Sequence, residues 1–202
     1  MEANEPIEQE HTNSFLGEVR PDQKGPKNIA IILVLSSLIV AGCAAQDWVQ
    51  HQGGLTDDQL TTYLSTQNSQ EGEPTSIEDF RDFESEVQQS NGFLIRSVGL
   101  ALTTLCLIIG GVLLYGLKRS GAYLCVTGAG IGLITGVYGS LLIQEAAINH
   151  LGEGMLLTYK IWVYLCGTTM SLCLAIAALP LLNVRARLAL SQKVILTFDE
   201  SE

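Results

Sequence analysis

Charged residues are scarce in this chain, and basic residues are the scarcer kind. Asp, Glu, Lys and Arg together make up 16% of it, and 21 acids stand against 11 bases, for a formal charge of −10. A soluble domain usually carries about 25% charged residues. The low total combined with the imbalance excludes an evenly mixed soluble domain. Because no basic stripe exists to neutralise phosphates, we expect no nucleic acid among the partners.

The sequence also lacks the patterns of common catalytic and metal sites. It contains no G-x-S-x-G, no H-E-x-x-H, no Walker A loop and no Ca²⁺ loop of the D-x-D-x-D-G type. No ionisable residue lies near the middle of a long apolar run, where pumps, proton-coupled carriers and intramembrane proteases usually need one. We therefore predict no catalytic residue, no metal and no cofactor, and a protein that is not an enzyme.

No cysteine lies in the acidic segment 46–91, and no Asn-x-Ser/Thr acceptor occurs anywhere. The five cysteines fall inside or at the edge of apolar runs, at Cys43, Cys106, Cys125, Cys166 and Cys173. This distribution excludes a disulfide-stapled outer domain and favours a role for the thiols as small packing groups. The two absences together favour a prokaryotic membrane over a eukaryotic cell surface.

Cys43 has a second interpretation. It closes the sequence Val40-Ala41-Gly42-Cys43, which resembles a bacterial lipobox. Cleavage before Cys43 would leave a lipidated chain with three spans. The residues before the apolar run are long and acidic for a signal peptide, whose first region should be short and basic. Lipidation is therefore the less favoured interpretation.

Four apolar runs are long enough to cross a membrane. They cover residues 29–45, 92–117, 121–143 and 155–182, which we number as spans one to four. A helix needs about 20 residues to cross a hydrocarbon core of about 30 Å. In lipid such a run must be helical, because only an internally bonded backbone leaves no N–H or C=O group unsatisfied. The predicted fold is all-α: a polytopic membrane protein with a four-transmembrane-helix bundle.

The basic residues predict the orientation of the spans. Eight of the eleven lie on one side of a four-span arrangement: Arg20, Lys24, Lys27, Lys118, Arg119, Arg185, Arg187 and Lys193. Lys and Arg concentrate in cytoplasmic segments, so both termini are expected in the cytoplasm and the protein in a plasma membrane. The terminal segments 1–28 and 183–202 contain few apolar groups and are predicted to be tails, the first of them disordered.

Segment 46–91 is predicted to be a small, acidic, helical extracytoplasmic cap between spans one and two. It holds ten acids and one base, Arg81. Thr56–Gln59 and Thr75–Glu78 have the spacing of capping boxes, with acids where a helix dipole favours them. Apolar residues follow each box at helical spacing, namely Leu60, Tyr63 and Leu64, and then Ile77, Phe80, Phe83 and Val87. We expect these faces to rest on the span ends or the bilayer surface.

Span three carries a ladder of small residues, one every four positions. The ladder consists of Gly128, Gly132, Gly136 and Ser140, and span four has a shorter one at Gly167, Ser171 and Ala175. Small residues allow close backbone approach, which drives helix association in lipid. Because the turn between these spans is short, our first expectation is that the two ladders pack against each other within one chain. The alternative is that the ladder of span three contacts a second copy and forms a homo-oligomer.

Four polar residues are expected near the outer interface, at Arg96, Glu145, His150 and Lys160. The simplest interpretation is that Arg96 and Lys160 extend towards the headgroups. The functional interpretation is a shallow outer site in which Glu145 pairs with Arg96 or Lys160.

The most favoured function is that of a non-catalytic accessory or scaffold subunit, which acts through helix packing and its acidic cap. Its expected partners are the lipid bilayer and another membrane protein, or a second copy bound through span three. The first alternative is an oligomeric small channel or transporter. The second is the lipidated three-span protein cleaved before Cys43, and a membrane enzyme using Glu145, His150 and Lys160 is the least favoured.

Overall fold

The computed structural model describes residues 22–67 and 74–195. Within these ranges the chain forms seven helices, α1 (Lys24–Gly53), α2 (Asp57–Gln67), α3 (Ile77–Gln89), α4 (Gly92–Tyr115), α5 (Arg119–His150), α6 (Glu153–Leu182) and α7 (Val184–Ile195). Of the disordered tail predicted for 1–28, residues 1–21 lie outside the described residues, whereas Lys24 onward belongs to α1. The end of the second predicted tail, from 196 onward, also lies outside them.

Four of these helices are long and apolar enough to cross a membrane. They are α1, α4, α5 and α6, with 30, 24, 32 and 30 residues. Even the shortest is about 36 Å long at 1.5 Å per residue, which exceeds a hydrocarbon core of about 30 Å. Large apolar side chains point outward from the bundle, among them Ile39 and Ile134. The prediction of an all-helical chain with four candidate spans is confirmed.

The bundle is built around α4 and α5. α4 packs extensively against both α1 and α5, and α5 also packs against α6. α1 and α6 share two apolar clusters, one around Leu33 and Ala177 and one around Val40 and Met170. Short turns join α4 to α5 and α5 to α6, so that neighbouring helices run in opposite directions.

Three helices extend beyond the apolar runs that predicted them. α1 continues to Gly53, α5 continues to His150 and α6 begins at Glu153. The extensions are stabilised by packing, because Asp47 on α1 and Ala146 and Ala147 on α5 are buried. A hydropathy window ends where polar residues begin, whereas α1 and α5 continue through polar residues because their buried faces continue.

The segment after Asn183, for which the sequence indicated only a tail, begins with the helix α7. α7 buries Ala186, Ala189 and Leu190 on one face, and Leu190 joins the apolar cluster that contains Leu33 of α1. Three apolar residues within one and a half turns are too few to reveal an amphipathic helix in the sequence. They are sufficient to hold α7 in place because the bundle supplies an apolar surface against which they pack.

α2 and α3 form a helical cap on one end of the bundle. Phe80, Phe83 and Val87 of α3 are buried in one cluster with Ile143 of α5 and Met155 of α6. The predicted apolar faces therefore rest on the ends of the long helices, except that Ile77 is exposed.

The capping box of α3 lies one residue later than predicted. Its N-cap is Ser76, whose hydroxyl accepts a hydrogen bond from the backbone N–H of Asp79 over 3.1 Å. The Asp79 carboxylate in return accepts from the Ser76 backbone N–H over 3.2 Å. Thr75 is instead buried, and its hydroxyl accepts a hydrogen bond from the Gly152 N–H at the start of α6. Two candidate boxes overlap in the sequence, and burial of Thr75 selects the second.

Candidate functional site

The small-residue ladder of α5 packs against α4. A Cβ atom added to Gly128 would lie 2.4 Å from the Cβ atom of Cys106, and one added to Gly132 would lie 2.7 Å from the hydroxyl oxygen of Thr103. That Thr103 hydroxyl donates to the Gly128 carbonyl oxygen over 3.1 Å, which links the two helices directly. Side chains at these glycines would force the helices apart, so the ladder is what permits the contact.

The ladder of α5 therefore has two partners, because Gly128 and Gly132 contact α4, whereas Gly136, like Gly167 of the α6 ladder, lies at the contact between α5 and α6. Gly136 lies near the Cys166 thiol of α6, and Gly167 lies near Val137 of α5. Ser171 and Ala175 are exposed on the outer surface of α6. The physical reason lies in α4, which has small residues of its own. A Cβ atom at Gly110 would meet the Gly121 carbonyl oxygen of α5 at 3.0 Å, so glycines face each other on both helices.

A buried ion pair connects α1 to α4. The Arg96 Nε atom donates to the Asp47 carboxylate over 2.7 Å, and Nη2 donates to its second oxygen. The Asp47 side chain is 5% exposed and that of Arg96 15% exposed. Such a two-point contact between guanidinium and carboxylate is both strong and geometrically specific. It fixes the position of α1 relative to α4.

The same arginine also contacts α5. Its Nη1 atom donates to the hydroxyl of Ser140 over 3.2 Å, and Ser140 is the last residue of the ladder. A Cβ atom at the neighbouring Gly139 would lie 2.8 Å from the Arg96 Cβ atom and 3.1 Å from the Gly92 carbonyl oxygen. The small residues therefore let α4 approach closely enough for Arg96 to join three helices.

The other predicted polar residues lie elsewhere. Glu145 is exposed and Lys160 is partly exposed. The His150 Nε2 atom is 2.6 Å from the Glu86 carboxylate of the cap, which also accepts from the Asn149 amide over 2.9 Å. Arg96 is thus paired with Asp47 instead of Glu145, and His150 serves to hold the cap. The four residues therefore do not come together in the shallow outer site of the functional interpretation, and Arg96 bonds to Asp47 instead of extending to the headgroups.

Asp47 is the residue that the sequence interpretation missed, because it was counted among the acids of the outer segment. A signal for it does exist in the sequence. The buried positions of α1 recur every three or four residues, at Ala30, Leu33, Ser37, Val40, Ala44 and Asp47. Extending this stripe past the apolar run would have placed Asp47 on the buried face.

A cleft of about 310 Å³ opens beside the ion pair, between α1 and α6. Polar side chains gather at the end nearer the cap, where Gln46 and Gln50 of α1 lie opposite Thr158 of α6. Apolar side chains line the other end, with Ile39 and Met170 among them. The cleft therefore changes from polar to apolar along its length.

The cap presents an acidic face to its surroundings. Among the residues of the cap that the structure describes, the exposed acids are Asp57, Asp58, Glu78, Asp79 and Asp82. Arg81 ties α2 to α3 through hydrogen bonds of 2.6 Å to Asp57 and 2.9 Å to the Leu55 carbonyl oxygen, and it also pairs with Glu84. These contacts hold the two cap helices together while most of the acids remain exposed.

Cys43 lies within the uninterrupted helix α1 and is half-buried on the side of the cleft. The residues before it belong to the bundle, because Ala30 and Leu33 are buried in a cluster with Leu107 of α4 and Leu190 of α7. Cleavage before Cys43 would remove these contacts.

Comparison with known proteins does not assign this chain to a family. No protein-family model, curated protein or solved structure matches the chain. Within the described ranges, no three His, Cys, Asp or Glu side chains gather in a way that could hold a metal ion. The features available for function are the three-helix ion pair, the cleft beside it and the acidic cap.

Proposed function

We propose that this chain is a non-catalytic accessory or scaffold protein of a plasma membrane, which presents the acidic face of its cap to a partner protein. The observation that carries the proposal is the firm attachment of the cap to the bundle. Phe83 and Val87 are buried against the long helices, and Glu86 and Thr75 add polar contacts to α5 and α6. A docking surface held in this way loses little conformational entropy when a partner binds.

The proposed orientation puts the cap outside the cell and both termini in the cytoplasm. Basic residues support it, because Lys118 in the turn between α4 and α5 and Arg119 at the start of α5 lie at the opposite end of the bundle from the cap. The first turn of α7, with Arg185, lies at that same end, since its carbonyl oxygen accepts from the Asp22 N–H over 3.2 Å. Such clustering is typical of a cytoplasmic face. The absence of N-glycosylation acceptors favours a prokaryotic membrane.

The proposed partner is another membrane protein with a basic outer surface. Charge complementarity with the exposed acids would steer and orient such a partner. A homo-oligomer formed through span three is less favoured, because Gly128 and Gly132 already face α4. The same observation weakens the alternative of an oligomeric channel or transporter. The contacts of Ala30 and Leu33 weaken the lipidated alternative.

The proposal can be tested by extracting the protein from its native membrane in polymer-bounded discs and weighing the assembly by native mass spectrometry. Asp82→Lys reverses one charge on the cap, and Glu145→Lys reverses one exposed charge on α5 as the matched control. We expect a partner in fixed stoichiometry that is lost with Asp82→Lys and kept with Glu145→Lys.

Three other results would count against this function. A chain that stays alone under gentle extraction has no scaffold partner. A partner that both variants keep does not bind through the acidic face. A ring of identical copies that survives both changes would favour the channel alternative.

A further inference from the structure

The cleft between α1 and α6 combines a polar end and an apolar end in one cavity. Gln46, Gln50 and Thr158 are at the end nearer the cap, and Ile39 and Met170 are at the other. Ile39 and Gln50 lie eleven residues apart on one helix, which corresponds to about 16 Å. The cavity is therefore elongated, and its volume of about 310 Å³ is at the small end of the range for ligand pockets.

The charges of the cleft cancel. Among the described residues that line it, only Asp47 and Arg96 are charged, and they pair with each other through two hydrogen bonds. A charged group of a ligand would have no unpaired opposite charge to bind, and burying an unpaired charge costs free energy on the order of the desolvation penalty of one ion. The cleft thus selects against fatty-acid carboxylates and phosphate-bearing headgroups.

Hydrogen-bonding groups nevertheless remain at the polar end. A guanidinium carries five N–H donors, and the bonds of Arg96 to Asp47 and Ser140 use three of them. The amides of Gln46 and Gln50 can both donate and accept. This set suits hydroxyl and ester oxygens, which need donors and acceptors but no counter-charge.

We propose that the cleft binds one uncharged amphiphile, a lipid of the acylglycerol type with hydroxyl and ester groups in its head. The head lies against Gln46, Gln50 and Arg96, and the acyl chain runs along Ile39 and Met170 towards the middle of the bundle. This inference is independent of the proposed scaffold function, because none of the exposed acids of the cap lines the cleft, to which the cap contributes only Tyr63 of α2.

The two tryptophans make the proposal measurable. Trp162 lines this cleft, whereas Trp48 lines a different groove between α1 and α4, and both side chains are 45% exposed. Single-tryptophan proteins made with Trp48→Phe or Trp162→Phe are placed in phosphatidylcholine nanodiscs. A monoacylglycerol with a brominated chain is then titrated in, because bromine quenches tryptophan fluorescence on contact.

We expect quenching of Trp162 to saturate, while quenching of Trp48 rises in proportion to the mole fraction of the probe. A lysophosphatidylglycerol with the same brominated chain is expected to lack the saturable component for both. Thr169→Phe fills the cleft and should abolish saturation at Trp162. Thr168→Phe is the matched control, since Thr168 is equally exposed but its hydroxyl bonds to its own helix at Tyr164 and Leu165.

Three outcomes would overturn the proposal. The first is an identical titration curve for Trp162 and Trp48. The second is saturation with the anionic probe as strong as with the neutral one. The third is saturation at Trp162 that persists with Thr169→Phe.

Discussion

At the scale of single residues, the pair formed by Asp47 and Arg96 is the most deeply buried ion pair in the described part of the chain. Two charges taken out of water repay their desolvation only when the geometry is good and the remaining donors are satisfied. Here the carboxylate receives two donors and the guanidinium also bonds to Ser140. The main effect of the pair is therefore to determine how three helices pack together, and its net contribution to the free energy of folding is small.

Removing one partner of this pair should be costly. Asp47→Ala leaves the Arg96 guanidinium buried without its counter-charge, and we expect the free energy of unfolding to fall by about 3–5 kcal/mol. The measurement is reversible unfolding in mixed micelles, followed by circular dichroism.

The exposed pair of Arg81 and Asp57 is the control for this change. Its side chains are 37% and 83% exposed, so Asp57→Ala should alter the free energy of unfolding by only about 0–1 kcal/mol. Equal effects of the two substitutions would show that burial of the first pair does not matter.

The capping box of α3 should depend on pH. Hydrogen bonds from the Ser76 hydroxyl and then from its backbone N–H hold the pKa of Asp79 below its ordinary value of 3.8. Because the folded pKa lies below the unfolded one, the box stabilises α3 fully above the unfolded value. This contribution is lost as the pH falls through the lower, folded pKa. Carbon-13 titration of the Asp79 carboxyl should therefore show a depressed midpoint.

Ser76→Ala is the control for the pH dependence. It removes the hydroxyl donor and should move the Asp79 midpoint back towards 3.8, together with weaker amide protection in the first turn of α3. A midpoint that Ser76→Ala leaves unchanged would mean that the box does not control the titration.

Single residues also show where sequence reasoning ends. Arg96 could be found because a basic residue inside an apolar run is conspicuous. The partner of Arg96 could not be identified from the sequence, because Asp47 and Glu145 are both acids close to the ends of apolar runs. The choice between them depends on which helix faces α4, and that is a property of the assembled bundle.

At the scale of helices, close approach between α4 and α5 defines the bundle. The ladder in α5 was recognisable from its four-residue spacing, but its partner was not. Short turns connect α5 to α4 as well as to α6, so chain connectivity does not distinguish the two. The distinction comes from the glycines of α4, such as Gly110, which receive the backbone of α5. The four long helices, their order and the helical cap could be predicted from the sequence. The close packing of α4 against α5 and the helix α7 could not.

A bulky side chain in the ladder should separate these helices. Gly128→Leu puts a Cβ atom 2.4 Å from the Cβ atom of Cys106, a contact that only movement of α4 can relieve. Overpacking of this kind typically costs about 1–3 kcal/mol, and we expect the upper end because the Cys106 Cβ atom can move only together with its backbone. The measurement is again the free energy of unfolding in micelles.

Gly130→Leu provides a matched control on the same helix. A Cβ atom at Gly130 would meet nothing within 4 Å, so this substitution should leave stability nearly unchanged. If Gly128→Leu instead left the fold intact and split an oligomer into monomers, the ladder would be an interface between copies.

At the scale of the whole molecule, charge is distributed between two ends. The acids of the cap lie at one end of the bundle, while Lys118, Arg119 and Arg185 lie at the other. Four long helices return the chain to the end of the bundle at which α1 begins, consistent with the hydrogen bond between Asp22 and Arg185. The low overall charge therefore belongs to the long helices, and most of the net charge of −10 comes from segment 46–91, with its ten acids and one base.

This distribution makes a prediction about orientation in the cell. Ser85→Cys puts a thiol on the exposed surface of the cap, and Arg187→Cys puts one on the exposed surface of α7. In intact cells, a membrane-impermeant maleimide should label the first and not the second, because Lys and Arg are retained on the cytoplasmic side. Permeabilised cells should show both labels. The unsubstituted chain supplies the background of its five cysteines, which all lie on the long helices. The reverse pattern would place the cap in the cytoplasm, and labelling of both thiols in intact cells would contradict four crossings.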